Sequence, residues 1–427
     1  MELLIHNALL TAKNINAIGW VLVRDGIIAA SGTGQAPATA DGAEVIDARG
    51  AALIPGLIDT HVHFREPGLE YKATIAGESR AAAAGGVTHV FDMPNTKPAT
   101  TSVELLGQKN AIGRSCAVRY DALMGLVPGA MEELRNLTPA VTPAVKLFLG
   151  TSTGAMASPD SSELQDVFRY CAEEKLPIIV HAEDNDIIAA NTAAAIARYG
   201  SAEAVPVSEH SSIRSREACL RSATMAVEMA HKFGTRLHIA HVSTADEVKR
   251  LLTPGPSESK LVTAETTPLY LDPVLSDGAN RTSRHKVNPA IKTPDDAAAL
   301  REALLTGAID TIGTDHAPHL LEEKMLPGIT AMSGAPSIQF ALPLMLTYLP
   351  LSVIVAKMNA GPAAVFSLPD NTSFAPGSPA DMALVRACDP YVISDSDVLS
   401  ACRWTPFEGR ELRHRVEATW VGGKRVF

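Results

Sequence analysis

The sequence predicts an α/β protein: a (β/α)8 TIM-like barrel with a small β-sandwich domain built from its N- and C-terminal segments. Three observations predict this fold. The middle of the chain alternates apolar, strand-like runs with Ala-rich helical stretches, as βα units around a parallel sheet do. The two ends are rich in short β-like segments instead. Side chains suited to metal binding follow several apolar runs, where a barrel would bring them together.

The two ends of the chain have similar β-like patterns. Residues 3–7 and 20–24 are β-like, and Asp25-Gly26 is a hairpin turn signal. Residues 381–385 and 416–421 are also strand-like, and Gly422-Gly423 turns the chain into 424–427. We expect the two ends to pair in one small sheet, with two unrelated terminal hairpins as the alternative. The predicted domains are residues 1–53 and 366–427 for the sandwich and 54–365 for the barrel.

Between these ends lie eight strand-like runs and six helical stretches. The predicted strands are 52–58, 87–93, 121–127, 144–149, 177–181, 236–242, 261–266 and 308–313. The predicted helices are 75–84, 103–112, 162–174, 214–233, 246–252 and 294–305. Eight strands favour a closed barrel, whose chemistry lies at the C-terminal strand ends. The segment 320–334, rich in Gly, Pro and charge, predicts a mobile loop over that end.

Composition narrows the classes of function. The chain has 427 residues, of which 46% are hydrophobic and 20% charged, as in globular proteins. A net charge of −10 argues against a nucleic-acid binder and against an anionic membrane surface. Five cysteines without C-x-x-C spacing predict free thiols in a reducing cytosol. We find no signal-peptide pattern, and no apolar stretch reaches the roughly 20 residues of a membrane span.

His61 and His63 are candidate metal ligands. They are two residues apart, so on a strand both imidazoles point to the same side of the sheet. Two imidazoles at a strand end suit one zinc ion. An isolated H-x-H is a weak signal, because surface pairs are common. This pair follows an apolar strand and precedes Arg65, which favours the metal site.

Lys146 lies inside the apolar run Val145-Lys-Leu-Phe-Leu149. A lysine in such a run is costly unless its charge reaches water or is changed. One interpretation is a strand-end lysine that reaches solvent. The other is that CO2 carbamylates the amine, which replaces a cation with an anion whose two oxygens can bridge metals.

The remaining candidates each follow a strand-like run. His181 ends one run and His241 another, and Asp315 follows the eighth. His238 and His241 are three apart and face opposite sides of a strand, so we expect only His241 in the site. Alone, Asp315 would be interpreted as a turn or cap residue; beside a metal it can accept a proton from water. Together these side chains match two divalent metals roughly 3.5–4 Å apart that share one hydroxide.

The chain resembles the cyclic amidohydrolases, most closely the dihydroorotase family, over essentially its whole length. The motifs are Gly56-Leu-Ile-Asp-Thr-His-Val-His-Phe-Arg-Glu-Pro-Gly68, Asp92-Met-Pro-Asn-Thr96, Lys146-Leu-Phe-Leu-Gly-Thr-Ser-Thr-Gly154, His181-Ala-Glu-Asp184, His241-Val-Ser-Thr244 and Gly313-Thr-Asp-His-Ala-Pro-His319. The resemblance implies reversible hydrolysis of L-dihydroorotate to N-carbamoyl-L-aspartate, with Asp315 as the proton shuttle. It also implies a cytoplasmic enzyme of pyrimidine biosynthesis.

The resemblance also implies a ligand set and a substrate pocket. Two Zn2+ ions per subunit would be bridged by carbamylated Lys146 and a hydroxide. Their other ligands would be His61, His63, His181, His241 and Asp315. The substrate carboxylate would bind Arg65, Asn95 and His319, with further contacts from Asn288 and the backbone near Ser333 and Gly334. This last segment, Met332-Ser-Gly-Ala-Pro336, departs from the Phe-Gly-Ile type of many dihydroorotases.

Two alternatives stay open on the sequence. An allantoinase or hydantoinase-type enzyme shares much of these motifs, but allantoinases typically have Ser-Pro-Cys where this chain has Ala-Pro-His319. An inactive dihydroorotase-like scaffold for aspartate transcarbamoylase would usually lack metal ligands, and this chain keeps every expected one. Co2+ and Mn2+ also suit these ligand types. The resemblance leaves a homodimer and an association with aspartate transcarbamoylase open.

Overall fold

The fold consists of a parallel barrel and a mixed terminal sheet. The structure is a computed structural model, which describes residues 2–137, 141–150, 156–279, 281–369 and 371–427. The barrel strands are β6 (Leu57–Val62), β7 (Val87–Asp92), β8 (Arg119–Ala122), β9 (Met124–Leu126), β10 (Val145–Phe148), β11 (Ile178–His181), β12 (Leu237–Ile239), β13 (Val262–Thr266) and β14 (Thr311–Ile312). Because β8 and β9 are two pieces of one strand on either side of Leu123, the barrel has eight strands.

The barrel closes between its first and last strands. Val62 and His316 form a parallel bridge there, and the N–H of His63 donates to the carbonyl of His316 at 2.8 Å. All pairs from β9 to β14 are parallel, as are β6 with β7 and β7 with β8. The predicted eight-stranded parallel barrel is confirmed.

Strands from both ends of the chain form one eight-stranded sheet. They are β1 (Glu2–Ala12), β2 (Ile15–Arg24), β3 (Ile27–Thr33), β4 (Glu44–Asp47), β5 (Ala52–Pro55), β15 (Met382–Val392), β16 (Glu411–Val421) and β17 (Lys424–Arg425). At its centre, β5 pairs in parallel with β1 and antiparallel with β15. The expected pairing of the two ends is therefore confirmed, and this sheet has an apolar core of its own.

The predicted strand at 52–58 is wrong as a single element. Residues up to Pro55 belong to the terminal sheet, and Leu57 begins the barrel. At Gly56 between them, an added Cβ would lie 2.0 Å from the hydroxyl oxygen of Thr88, so only glycine fits the crossing. One continuous apolar run conceals this change of sheet. We propose that the barrel unit extends from Leu57 to Phe366.

Helices cover the outside of the barrel. They are α1 (Ile75–Ala84), α2 (Val103–Gly113), α3 (Ala130–Asn136), α4 (Ser161–Glu173), α5 (Asn185–Tyr199), α6 (His210–Ile213), α7 (Arg216–Phe233), α8 (Ala245–Leu251), α9 (Pro268–Leu271), α10 (Pro273–Asp277), α11 (Pro294–Thr306), α12 (Leu321–Lys324), α13 (Ile338–Met345), α14 (Leu351–Val355) and α15 (Gly361–Phe366). Short 3-10 turns occur at Val207–Glu209, Ser257–Ser259, Ser283–His285, Gly328–Thr330 and Asp395–Asp397, and a π-helical turn at Ala356–Ala360. Among the described residues, no helix is both long and apolar enough to cross a membrane.

The six predicted helices are confirmed to within two residues at each end, whereas the 15-residue helix α5 was not predicted. Capping residues in the sequence account for where these helices begin. Thr74 accepts a hydrogen bond from the N–H of Gly77 at the start of α1, and Thr293 forms a capping box with Asp296 at the start of α11. Helix α5 also has a cap, Asp184, but none of its residues is buried. It therefore lacks the apolar stripe that identifies a helix in a sequence.

Candidate metal centre

The C-terminal ends of the barrel strands bring the six predicted metal ligands to one rim. His61 and His63 stand at the end of β6, Lys146 lies in β10, and His181 is the last residue of β11. His241 and Asp315 follow β12 and β14 by two and three residues. Parallel strands in a barrel end on the same side, so residues distant in the sequence meet there. The last part of the Lys146 motif, 151–154, is outside the described residues.

His61, His63 and Asp315 form the first part of the centre. The Nε2 atoms of His61 and His63 lie 3.6 Å and 3.1 Å from Oδ1 of Asp315. The ligand atoms of all three residues lie within 4.8 Å of one another. Two imidazoles and a carboxylate in this arrangement can hold a divalent metal ion.

Two oxygen acceptors orient these imidazoles. Oε1 of Glu265 lies 2.8 Å from Nδ1 of His61, and the hydroxyl of Thr60 donates to Oε2 of Glu265 at 2.6 Å. Oδ1 of Asn95 lies 2.7 Å from Nδ1 of His63. These acceptors favour the tautomer with a proton on Nδ1, which leaves both Nε2 lone pairs directed at the site. Burial also lowers the pKa of both imidazoles and keeps them neutral, as metal binding requires.

His181 and His241 form the second part of the centre. Nδ1 of His181 lies 2.9 Å from Nε2 of His241, so the two ring nitrogens face each other. Glu183 lies 3.0 Å from Nε2 of His181, within ion-pair distance but off the direction of a hydrogen bond, and accepts a hydrogen bond from Arg214. Burial lowers the pKa of both histidines. The ring of His241 lies 5.2 Å from that of His61, which joins the two parts.

Lys146 is fully buried, so the interpretation as a lysine that reaches solvent is wrong. Its Nζ has no hydrogen-bond partner among the described residues. Burial lowers the pKa of Lys146 to about 8, although the charges of Glu265 and Asp315 act in the opposite direction. An unpartnered ammonium in this position is costly, whereas a metal-binding anion on the same side chain would be satisfied. The buried donor set therefore fits a pair of divalent metals.

A small cavity adjoins the metal centre. The residues that line it are His63, Arg65, Asn95, Asn288, Asp315, Ala317, Ser333 and Gly334. The cavity therefore brings together five of the six predicted substrate contacts: Arg65, Asn95, Asn288, Ser333 and Gly334. Their contact with substrate stays a prediction.

Arg65 is a buried cation on this cavity, with 4% of its surface exposed. Its Nε donates to the carbonyl of Pro318 at 2.9 Å, and its Nη2 lies 3.0 Å from Nε2 of His319. No carboxylate oxygen among the described residues lies within 4.0 Å of its guanidinium nitrogens. Burial lowers the pKa of Arg65 to about 10, so it stays charged at neutral pH. An anion in the cavity would supply the missing partner.

His319, the sixth predicted contact, lies behind Arg65 and is only 1% exposed. Its Nδ1 lies 3.0 Å from Nζ of Lys72 and 3.4 Å from Oε2 of Glu323. Burial and the charge of Arg65 lower the pKa of His319 to about 3, so the ring is neutral. In this structure His319 orients Arg65, and its predicted contact with substrate remains untested.

His238, expected to lie outside the site, points to two hydroxyls in the barrel interior. Its Nδ1 lies 2.9 Å from Oγ1 of Thr263, and its Nε2 lies 3.2 Å from Oγ1 of Thr311. Glu265 and Glu183 were not predicted from the sequence. Each is one carboxylate among many along the chain, and its partner histidine lies on another strand or two residues away.

Replacing Glu265 with Gln is expected to weaken metal binding by roughly ten- to hundredfold, the usual effect of losing a carboxylate that orients a ligand histidine. The amide fills the same space but holds Nδ1 of His61 without charge. Metal affinity can be measured by competition with a chromophoric chelator. Asp310→Asn, which removes the charge of a buried carboxylate that binds Lys260 and does not line the cavity, is the control that should leave affinity unchanged. Unaltered affinity in Glu265→Gln would remove the orienting role.

The chain is similar to known proteins over most of its length. The model of the amidohydrolase family matches residues 52–426. The dihydroorotase of Halobacterium salinarum is 35% identical over 378 residues, covering 86% of this chain and 85% of that protein. The dihydroorotase of Syntrophotalea carbinolica is 35% identical over 443 aligned positions, covering 100% and 99%.

Solved structures agree with the barrel. The L-hydantoinase (dihydropyrimidinase) of Arthrobacter aurescens superposes with a TM-score of 0.89 at 28% identity, covering 99% of this chain and 95% of that one. A D-hydantoinase from a Thermus species has a TM-score of 0.86 at 23% identity, covering 99% and 94%, and supports the fold alone. With a family match over most of its length and relatives above 30% identity, the chain belongs to the amidohydrolase family.

Proposed function

We propose that this metal-dependent cyclic amide hydrolase is a dihydroorotase, which converts L-dihydroorotate and N-carbamoyl-L-aspartate into each other in the de novo synthesis of pyrimidines. The observation that carries the proposal is the buried guanidinium of Arg65, which lines the cavity beside the metal centre without a carboxylate partner among the described residues. Dihydroorotate is a cyclic amide with a carboxylate, and that carboxylate would pair with Arg65. Relatives named dihydroorotase at 32–35% identity support the same substrate.

The proposed cofactor is a pair of zinc ions. The proposed ligands are His61, His63, Lys146, His181, His241 and Asp315. Two observations support this assignment: the buried Nζ of Lys146 lacks a hydrogen-bond partner among the described residues, and Nδ1 of His181 and Nε2 of His241 face each other at 2.9 Å. When bound, a zinc pair would polarise the ring carbonyl and lower the pKa of water.

We propose that Lys146 is carbamylated. The neutral amine attacks the carbon of CO2, an N–C bond forms, and one amine proton leaves to solvent. The product is an anion with two oxygens, which can bridge two cations where a lysine would repel them. The pKa of about 8 supports this step, because a fraction of the amine is neutral near physiological pH.

The residues of the cavity would orient the ring. Arg65 presents a planar fork of N–H donors, which suits a carboxylate better than a point charge does. Asn95 accepts from His63 through Oδ1 and lines the cavity, where it would contact the substrate. His319 holds the guanidinium at 3.0 Å, so it contributes to the carboxylate site through Arg65. Fixing the carboxylate would place the scissile amide over the metal centre.

Asp315 would move the proton during hydrolysis. Burial acts to raise the pKa of Asp315, but the basic side chains around it outweigh burial and hold that pKa below its ordinary value, so the carboxylate is ionised. It would take a proton from the attacking water while the oxygen bonds to the ring carbonyl carbon. When the C–N bond breaks, the same proton would go to the leaving nitrogen. In the cyclising direction, Asp315 would protonate the departing water.

The test is turnover of L-dihydroorotate by purified protein of known metal content, with allantoin and hydantoin assayed in parallel. Turnover of dihydroorotate alone, with about two metals per chain and loss of activity after chelation, is the expected result. Turnover of hydantoin instead would keep the metal centre and overturn the substrate. No turnover of any of the three, with metal bound, would return the scaffold for aspartate transcarbamoylase as the better proposal.

A hydantoinase is the second candidate, because the L-hydantoinase of Arthrobacter aurescens superposes with a TM-score of 0.89. Hydantoin lacks the carboxylate that Arg65 would bind, which favours dihydroorotate. We also propose a cytoplasmic location, supported by five cysteines that form no disulfide. A homodimer and an association with aspartate transcarbamoylase remain proposals from the sequence resemblance.

Replacing Arg65 with Met is expected to raise KM for dihydroorotate by about 30-fold or more, since losing one partner of a buried charge pair costs about 2–5 kcal/mol. Methionine keeps the length of the side chain and removes the charge. Steady-state kinetics with dihydroorotate measure the effect. Dihydrouracil, which has the ring without the carboxylate, is the control ligand, and its inhibition constant as a competitor of dihydroorotate should not change. An unchanged KM for dihydroorotate would mean that its carboxylate binds elsewhere.

A further inference from the structure

We propose that Lys324 is a positioning residue for the substrate cavity, an inference that rests on the proposed function. Its side chain is fully buried. Its Nζ donates to three backbone carbonyls, those of Lys286 at 2.8 Å, Met332 at 2.7 Å and Gly334 at 2.9 Å. An ammonium group has three N–H donors, and these carbonyls use all three.

The three carbonyls stand along one wall of the cavity. Asn288, Ser333 and Gly334 line this wall, and each is within two residues of a carbonyl that Lys324 holds. The N–H of Gly334 also donates to the carbonyl of Lys286 at 2.9 Å. The segments 286–288 and 332–334, distant in the sequence, are thus joined directly by this hydrogen bond and again through the ammonium of Lys324. The other lining residues come after the barrel strands β6, β7 and β14, so we infer that the shape of the cavity depends on this junction.

The backbone at Gly334 leaves little room for another arrangement. Its φ is +132°, a backbone conformation that residues other than glycine rarely adopt. A Cβ there would lie 2.9 Å from the carbonyl oxygen of Ala317. The segment therefore packs closely against Ala317 at this point, and loss of its anchor would let it move away from Ala317 and change the shape of the cavity.

Lys324 anchors backbone and forms no ion pair. Among the described residues, no carboxylate oxygen lies within 4.0 Å of its Nζ. Burial and the charges of Lys286 and Arg65 lower its pKa, whereas three carbonyl acceptors favour the ammonium form, since a neutral amine has only two N–H donors. The geometry fits the ammonium. We propose that this anchor holds the C-terminal part of the segment 320–334, whose mobility stays a prediction.

The chain provides a matched control in Lys286, a second buried lysine that binds carbonyls of the same segment. Its Nζ donates to the carbonyl of Ile329 at 2.9 Å and to that of Ala331. Neither residue lines the cavity. Lys286→Met removes a buried ammonium of the same kind and leaves the backbone carbonyl of Lys286 in place. It should therefore destabilise the protein without changing the shape of the cavity.

The experiment compares wild type, Lys324→Met and Lys286→Met by kinetics, metal content and backbone hydrogen exchange. In Lys324→Met, KM for dihydroorotate should rise roughly ten- to hundredfold, because displaced contacts weaken binding steeply. The value of kcat and the metal content should stay within about threefold of wild type. Exchange should become faster at residues 332–336. Lys286→Met should show a KM close to that of wild type. If Lys324→Met does not fold, Lys324→Gln takes its place. Because glutamine keeps two N–H donors, the expected rise in KM is smaller.

Three results would overturn the proposal: unchanged exchange at 332–336, faster exchange with an unchanged KM, or an equal rise in KM in both lysine variants. Failure of the proposed function is distinguishable. If wild type does not turn over dihydroorotate, the function is wrong. Exchange then still tests the anchor, and KM is measured on whichever cyclic amide the wild type hydrolyses.

Discussion

Asp315→Asn is expected to lower kcat by roughly 10²–10⁴-fold, the usual contribution of a positioned general base, with KM near that of wild type. The amide keeps the shape of the carboxylate but cannot take a proton from water at neutral pH. Its oxygen can still face Nε2 of His63, which lies 3.1 Å from the present carboxylate. Binding should therefore survive while proton transfer is lost.

The backbone supports the choice of asparagine. Asp315 has a φ of +48°, in the left-handed region, where Asn and Asp are the most tolerated residues after glycine. Alanine would remove the carboxylate and add backbone strain, so its loss of activity would have two causes. Asparagine isolates the chemical cause.

Asp310 offers a control at the opposite end of the same strand. It accepts a hydrogen bond from Nζ of Lys260 at 2.8 Å and is not among the residues that line the cavity. Asp310→Asn should cost stability, measured as a lower Tm, and leave kcat within a few-fold of wild type. Should Asp315→Asn retain a near-normal kcat with two metals bound, the proton-shuttle role would be wrong.

Lys146→Ala is expected to lose nearly all activity and to bind fewer metals, because the proposed bridge disappears. The side chain is 0% exposed, so its removal leaves a space within the metal centre. A small carboxylic acid such as acetate can enter that space and offer two oxygens in place of the carbamate. Activity should therefore return in part as acetate is added, measured as rate against acetate concentration.

Lys146→Met is the matched control for this rescue. Methionine fills the space and offers no oxygen, so activity should stay low at every concentration of acetate. Native mass spectrometry of wild type should also find the added mass of CO2, lost on acidification. Full activity and two metals in Lys146→Ala without any additive would show that Lys146 is not a bridge.

The sequence predicts most of the barrel, because its strands are apolar runs and its helices have caps and apolar stripes. It does not predict the break at Gly56 or helix α5. The two have different causes. Thr88, which is distant along the chain, sets the crossing at Gly56, whereas α5 lies outside the core, where no apolar pattern is required.

The candidate site also combines residues that local sequence patterns predict with one that they do not. His61, His63 and Asp315 stand next to apolar strands in short motifs, so sequence alone brings them together. Lys324 stands in a segment of mixed composition, and its role depends on carbonyls at Lys286, Met332 and Gly334. Backbone acceptors carry no residue-specific signal, so a lysine that binds them cannot be distinguished from an exposed one.

The position of β5 between β1 and β15 bears on how the protein folds as it is synthesised. Pro55 pairs with Met382, so one edge of β5 has no partner until most of the chain has been made, on the order of tens of seconds later. An unpaired edge is a template for pairing with other chains. We therefore expect the unpaired edge of β5 to favour aggregation of incomplete chains, so that ribosomes that stall before residue 382 release aggregating fragments.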